Sequence, residues 1–522
     1  MPNFIKYDHN QTSMVVINYQ DQLQPGTFEY AIHHLIHNKI DCSVFYPKVK
    51  NDETGRPAYD PAILLSIILF AYSKGITSSR EIEWCCETNI IFKALSCDTV
   101  PHFTTIANFV SSRSKEIEAL FEQILLICDE QGLLGHELFA IDGCKMPSNA
   151  AKEWSGKFKE LEQKRDKIKR QIRHHMNEHQ RLDNNESRDE ERIKRTQQTI
   201  ETLDKAHEKI DQFLKLNSPR MGAAKRPREV KSNITDNESA KMTTSKGTIQ
   251  GYNGVATVDK KHQIIIDAQA FGSGQEQHTL KPVLEVITDR YRRLGIKDDI
   301  YKSGAIVTAD TGFANEANMQ YLHEQKIDAY IPDNQFRSRD PKFSNQKLKY
   351  GKQHQSDKKK PAKKFTANEF DFDLINKTCV CPMGESMWLK TNKVNNLGHH
   401  KLHFEGRLSR CRQCKQIARC MRNPQAPNQG KGHGRQVSFI INKGKRKSNF
   451  TDWMKHRVDS PRGKLIYSHR MSVVEPVFGN IGTNKRLNRF SLRGKEKVQG
   501  QWQLFCMIHN IEKIKNYGQI AA

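Results

Sequence analysis

No stretch of this chain is apolar for long enough to cross a bilayer, which takes roughly 18 residues. The longest candidate, Ala62–Tyr72, is interrupted by Ser66 and suits a helix buried in a protein core. Acidic side chains are also in short supply. Fifty-nine Asp and Glu stand against 84 Lys and Arg, a formal net charge of +25 across 522 residues. That excess favours a polyanionic partner, of which nucleic acid is the commonest. The opening residues Met1–Lys6 lack the charged-then-apolar layout of a secretory signal, so a cytoplasmic location is expected. In that compartment twelve cysteines are not expected to form a disulfide framework. Seven of them, Cys42, Cys85, Cys86, Cys97, Cys128, Cys144 and Cys506, sit among apolar neighbours and read as small buried hydrophobes. The other five, Cys379, Cys381, Cys411, Cys414 and Cys420, are clustered.

Residues 57–131 carry helical periodicity, with Pro61 opening the first apolar run and Gly75 closing it. A set of short helices in series suits a helix-turn-helix-type module. Glu137–Asp142 reads as a buried strand ending at a carboxylate, and so does Ala305–Asp310. Between them, residues 157–217 are mostly charged, with sparse apolar positions at helical spacing and a polar break at 183–187. An antiparallel helical hairpin fits this pattern. Ile249–Val258 and Gln263–Phe271 read as a β-hairpin, followed by helices near Leu280–Leu294 and Glu316–Gln325. Residues 333–364 hold 11 Lys and Arg against 3 Asp and read as a basic loop. A second basic stretch lies at Lys443–Lys447, and Val473–Leu487 and Val498–Ile514 read as helices.

A strand-ending Asp is most often a turn former. Cutting or joining a phosphodiester, however, needs charge neutralised around the phosphate, and carboxylates from distant parts of a chain can hold the Mg²⁺ ions that do it. A third acid lies in Val474-Glu475-Pro476-Val477-Phe478-Gly479, with Tyr467 and Arg470 upstream. This segment resembles the "VEPVFG" helix of bacterial insertion-sequence DDE transposases. Arg489-Phe490 through Arg493-Gly494, followed by Trp502, Cys506, His509, Asn510 and Lys513, is similar to the ending of that family. Phe139–Gly143 and Thr308–Phe313 resemble its first and second Asp motifs, Thr244–Asn253 the stretch before its hairpin, and Gly55–Pro61 with Ser78–Ile82 its InsH-type N-terminal domain. The spacing from Tyr467 and Arg470 to Glu475 departs by one residue from the commonest signature. Gly482 stands where a Lys is usual, with Lys485 a turn later.

The resemblance implies an α/β fold: an RNase H-like mixed-sheet core with an N-terminal helical domain, a helical-hairpin insertion and a basic, zinc-binding insertion. The expected boundaries are 1–132 for the N-terminal helical DNA-binding domain, 133–156 and 221–332 for the two core segments, 157–220 for the hairpin, 333–460 for the Cys-rich insert and 461–522 for the catalytic helix region. It implies that Asp142, Asp310 and Glu475 bind Mg²⁺ or Mn²⁺ and catalyse DNA cleavage and strand transfer. It also implies that Tyr467, Arg470, Lys485 and Arg493 contact DNA. The implied partners are double-stranded DNA, as terminal inverted repeats and target, and a second copy in a homodimer, in a nucleoid-associated setting. Asp259 and Asp267 are rivals for the second acid. A nuclease of the same fold and a catalytically inactive DNA-binding relative are the alternative functions. Separately, Cys381, Cys411, Cys414 and Cys420 offer four thiolates for structural Zn²⁺, with Cys379 an alternative to Cys381.

Overall fold

In the computed structural model of the protein the described residues are 16–48, 57–183, 190–222, 227–245, 247–343, 364–394, 399–430, 432–442 and 449–520. The Gly55-Arg56 start of one motif, the 184–187 part of the polar break, most of the basic run 333–364 and the stretch Lys443–Lys447 lie outside them. The chain divides into two compact units, one comprising residues 1–339 with 454–522 and the other residues 340–453.

The larger unit opens with six helices: α1 Phe28–Asn38, α2 Pro61–Ser73, α3 Ser79–Thr88, α4 Ile90–Ser96, α5 Phe103–Ser112 and α6 Ser114–Glu130. Asp60 caps α2 by accepting from the Ala62 N–H at 2.8 Å, and Pro61 supplies the preset first turn. α2 is buried nearly all round, which accounts for an apolar run with no polar stripe. Ser66, the one interruption, returns its hydroxyl to the Ala62 carbonyl at 2.7 Å.

Next come β1 Leu138–Pro147, the helical hairpin α7 Phe158–Asp183 and α8 Glu190–Leu216, and then β2 Ala240–Thr244, β3 Gly247–Asp259 and β4 Ile265–Phe271. α9 Leu280–Arg293, β5 Ile306–Ala309, α10 Glu316–Glu324 and β6 Ala329–Tyr330 follow. The unit ends with α11 Pro461–Gly479, which passes into a π-turn at Asn480–Asn484, and α12 Lys495–Tyr517. The hairpin has a small core of its own, built on Leu161, Ile168, Ile172, Ile210 and Phe213.

One six-stranded mixed sheet organises this unit. β3 runs antiparallel to β1, β2 and β4, whereas β1, β5 and β6 run parallel to one another. Contrary to the expectation from its apolar run, β1 does not end at Asp142. It continues five residues beyond, because Gly143–Pro147 pair with Gly251–Val255 of β3. Gly251 permits this close passage, since a Cβ there would stand 2.0 Å from the Met146 carbonyl oxygen. α11 also begins earlier than the apolar pattern indicates, at Pro461, where Ser460 caps it by accepting from Gly463 N–H at 3.0 Å.

α12 packs on the sheet and is buried along most of its length. Its Trp502 donates Nε1–H to the Val255 carbonyl at 3.1 Å and sits beneath Gly254, where a side chain would crowd the indole. His509, fully enclosed, lies 2.9 Å from the Gln263 carbonyl through Nε2 and 3.1 Å from the Asn480 amide through Nδ1. That pairing suits the neutral ring, and burial pulls its pKa down to about 4. A second anchor is Arg290, which is 0% exposed and bonds Asp267 Oδ1 at 2.5 Å, the Ile266 carbonyl at 3.1 Å and Glu122 at 3.2 Å.

The smaller unit contains a five-stranded antiparallel sheet, formed by β7 Asp371–Asp373, β8 Thr378–Val380, β9 Ser386–Val394, β10 His400–Gly406 and β11 Gln436–Asn442. Phe370, Cys379, Met387, Leu402, Phe404 and Val437 form its core.

The buried polar anchors make the stability of the larger unit testable in two ways. Arg290→Met strands the Asp267 charge and should cost about 3–5 kcal/mol, read as a lowered urea midpoint, with part recovered on adding Asp267→Leu. His509 is protonated in the unfolded chain near pH 6.5 but in the folded one only near pH 4. The unfolded chain therefore binds the extra proton between these values, and stability drops as pH falls from 6.5 to 4, by up to about 3 kcal/mol. Urea titrations across this window should show a shallower acid limb in His509→Gln; an unchanged limb would clear His509 of the effect.

Candidate active site

Because β1 and β5 are parallel and Ile141 pairs with Ala309, the next residues along, Asp142 and Asp310, lie side by side at the carboxyl end of β5. Asp142 is held in mid-strand, and its Oδ1 accepts from Gly143 N–H at 2.8 Å. Asp310 Oδ1 accepts from Thr311 N–H at 2.7 Å, in the tight turn that follows the strand. Each carboxylate is thus pinned through its own backbone. Burial raises the Asp142 pKa, opposed by Arg470 and by the Gly143 N–H, while Asp310 and Glu276 push it further upward.

α11 packs against β1 and β5 and brings its polar side chains to these acids. Arg470, 6% exposed, reaches Asp142 Oδ2 at 2.8 Å. One turn earlier stands Tyr467, whose ring meets Phe336 edge-on at 5.4 Å. Burial pushes its phenol up to about 12, and Arg470, Asp310 and Asp142 also act on it. Glu475 is placed differently. It lies five residues beyond Arg470, on the exposed side of the helix, between the buried pair Val473-Val474 and buried Val477. The carboxylates that act on Asp142 are Asp310 and Glu276. Among the described residues, no group of three or more His, Cys, Asp or Glu stands in metal-ligating arrangement. Two adjacent, partly repelling carboxylates fit a divalent cation by their chemistry; the third ligand of the expected set is not gathered to them.

The other residues expected to contact DNA divide. Arg493 is exposed and donates from Nε to the Asn149 carbonyl at 2.5 Å. Arg489 beside it bonds the Ser148 carbonyl at 3.3 Å and Asn149 Oδ1 at 3.2 Å. Both stay at the surface close to the end of β1. Lys485, expected at the DNA, is instead 1% exposed and bonds Glu512 Oε1 at 2.5 Å. Burial draws its pKa down, and Glu512 opposes this. In this arrangement Lys485 ties the π-turn to α12 and offers no surface to a phosphate.

The two rival acids are both consumed elsewhere. Asp259 accepts backbone N–H groups from Gly135, His136 and Lys261 at 2.8–3.1 Å and so closes the turn ahead of β1. Asp267 is taken by Arg290. The acid that sequence reasoning missed is Glu276. It pairs with Lys145 of β1 at 3.1 Å and lies so close to Gly312 that a Cβ there would be 1.9 Å from its Oε2. Gly312 in the Thr308–Phe313 motif was the available signal: a glycine two residues after an acid leaves room for something, here a carboxylate.

In the smaller unit Cys381, Cys411, Cys414 and Cys420 line one small cavity of about 50 Å³ beside Phe365 and Met421. Burial raises the thiol pKa of Cys411, and that of Cys420 to about 11, and the other thiols of the group add to both shifts. Cys379, the alternative ligand, is in the sheet core, 3.8 Å from Met387 Sδ. Of the scattered cysteines expected to be buried, Cys97 is exposed and Cys144 half-buried. Cys97 occupies a left-handed turn that closes α4 and turns its side chain outward.

Two family models match the chain: Transposase DDE domain over residues 380–515, and Transposase domain (DUF772) over residues 17–112. No curated protein and no solved structure matches it at a significant level. The DDE match includes Glu475 with its helix and the segment through Lys513, and the other covers the N-terminal helices α1–α5. Together they support the resemblance of the chain to the insertion-sequence DDE transposases.

Proposed function

We propose that the protein binds the ends of a mobile DNA element and catalyses their metal-dependent cleavage and transfer to target DNA. The observation that carries this reading is the pairing of Asp142 and Asp310 on adjacent parallel strands under a helix bearing Tyr467, Arg470 and Glu475. We read the mixed sheet as RNase H-like: a long hairpin runs antiparallel to the strand bearing the first acid, and a parallel strand delivers the second.

In this reading Asp142 and Asp310 would hold Mg²⁺ or Mn²⁺, with Glu475 of the exposed side of α11 as the third ligand of the set. The cation would supply charge neutralisation at the scissile phosphate. The rest falls to the chain itself. The backbone N–H groups of Gly143 and Thr311 hold one oxygen of each Asp. Arg470 occupies Asp142 Oδ2, and on binding it would pass to a DNA phosphate, where a guanidinium forms a paired contact. Arg493 and Arg489 extend that positive edge, and the phosphate contacts fix the register of the DNA. Pairing of two ends calls for two copies of the chain. In the smaller unit the four cysteines around one cavity support a structural Zn²⁺ site, whose thiols would have to give up their protons to bind it.

A catalytically inactive DNA-binding relative is the second reading, and one observation favours it: Glu475 stands outside the Asp142–Asp310 pair while Arg470 neutralises Asp142. Glu475→Gln separates the two. A catalytic Glu475 predicts cleavage of element-end duplex reduced by at least about 100-fold with binding retained, whereas equal cleavage by variant and parent removes Glu475 from the site. A strand-transfer assay with a precleaved 3′ end then tells a transposase from a nuclease. For the cysteines, elemental analysis of purified protein should find one zinc per chain, falling to a trace in Cys411→Ser/Cys414→Ser; a trace in the parent would exclude the site.

A further inference from the structure

The larger unit carries an open groove of about 1520 Å³. One wall is formed by residues 220–222 and 228–231, in the chain that returns from the helical hairpin; the other is β2 with the Gly272–His278 turn. Four cations line it, Arg220, Arg228, Lys231 and Lys241, with His278, against one acid, Glu229. Glu229 is turned to the protein, accepting from Phe158 N–H at 2.6 Å. Lys231 is loosely paired, 3.6 Å from Glu160. Arg228 and Lys241 are exposed, and neither makes an ion pair among the described residues. Arg220 is fixed in place by donating to the Asn237 carbonyl and, at 2.9 Å, to that of Ser239.

The floor of the groove is cut low by glycine. A Cβ at Gly272 would stand 1.8 Å from the Glu238 carbonyl oxygen, and one at Gly274 would stand 2.7 Å from Met242 Cγ. The turn therefore lies flat against its neighbours and leaves the channel open above it. Gln275, Gln277 and His278 bring hydrogen-bonding side chains to the same turn. The turn also carries Glu276, which is not part of the groove lining but is bonded to Lys145 next to the Asp142–Asp310 pair. Glu276 thus links the turn that walls the groove to the strand that bears Asp142.

We propose that this groove is a track for the DNA duplex backbone, gripping phosphates outside the cleavage position and leading the strand to Asp142 and Asp310. The proposal rests on the transposase reading above and adds where the duplex runs. Its occupant is a polyanion of regular charge spacing. The channel is open and lined with exposed cations, as sequence-independent phosphate binding requires.

The test is equilibrium binding of a fluorescein-labelled, mixed-sequence duplex by anisotropy over a series of NaCl concentrations. Removing one cation from a phosphate should reduce the slope of log affinity against log salt by about 0.9. Arg228→Glu/Lys241→Glu should therefore bind at least about 10-fold more weakly at physiological salt, with the slope reduced by about 2. The neutral pair Arg228→Gln/Lys241→Gln should reduce the slope equally with a smaller drop in affinity, and Arg228→Lys/Lys241→Arg should keep the parent slope. Parent-like affinity and slope in the Glu and Gln pairs, with the parent binding normally, overturn the groove and leave the transposase reading standing. A parent chain that binds no duplex at any salt overturns both.

Discussion

Asp142 sets the terms for the rest of the larger unit. A carboxylate in the middle of a strand, partly withdrawn from water, is costly unless something answers its charge. Here the Gly143 N–H and the Arg470 guanidinium do so. That requirement ties three distant parts of the chain together: β1 carries the acid, β5 brings Asp310 beside it, and α11 must cross both strands to deliver the arginine. The same ion pair gives the site its poise. In the proposed function, the arginine that quiets this acid would pass to a phosphate and leave the acid to a cation.

A second set of constraints keeps that crossing in register. α12 lies along the sheet under Trp502, and the neutral His509 links Gln263 after β3 to Asn480 after α11. Lys485 and Glu512 close the same junction. A residue that looks like a phosphate ligand in the sequence is in fact used to set the angle of the helix that carries Arg470 and Glu475. The Arg290–Asp267–Glu122 group does similar work between α9, β4 and α6.

Much of this was legible in the residues. Pro61 at the head of its apolar run, the β-rich run Ile249–Val258 and the apolar stripe of α6 each specify an element locally, and each forms. The two Asp motifs were legible as motifs, and the register places them side by side. What escaped depended on partners far away in the chain. Gly143, Cys144 and Lys145 have no strand character of their own and are extended only because β3 pairs with them. Residues 461–472 show no apolar periodicity, since the first three turns of α11 bury little besides Gly463 and Arg470. Glu276 was one acid among many until the fold set it against Gly312 and Lys145. Lys485 and Glu475 show the same limit in reverse: a motif specifies a residue's neighbours along a helix, but not whether that residue faces the core, the acids or solvent.

The extension of β1 past Asp142 has a consequence for the order in which the molecule comes together. Its two partners, β3 and β5, are separated from it by the helical hairpin and by the α9 segment, and its cover, α12, is made after all of them. Pairings of such long sequence separation close slowly and late. During synthesis the strand bearing the first acid must wait, unpaired, until residues 247–309 emerge, and it stays uncovered until α12 follows. The six N-terminal helices and the hairpin, rich in local packing, can be structured well before then. An incompletely made chain would thus hold its helical modules without the Asp142–Asp310 pairing, which is complete and covered only once the whole length has been assembled.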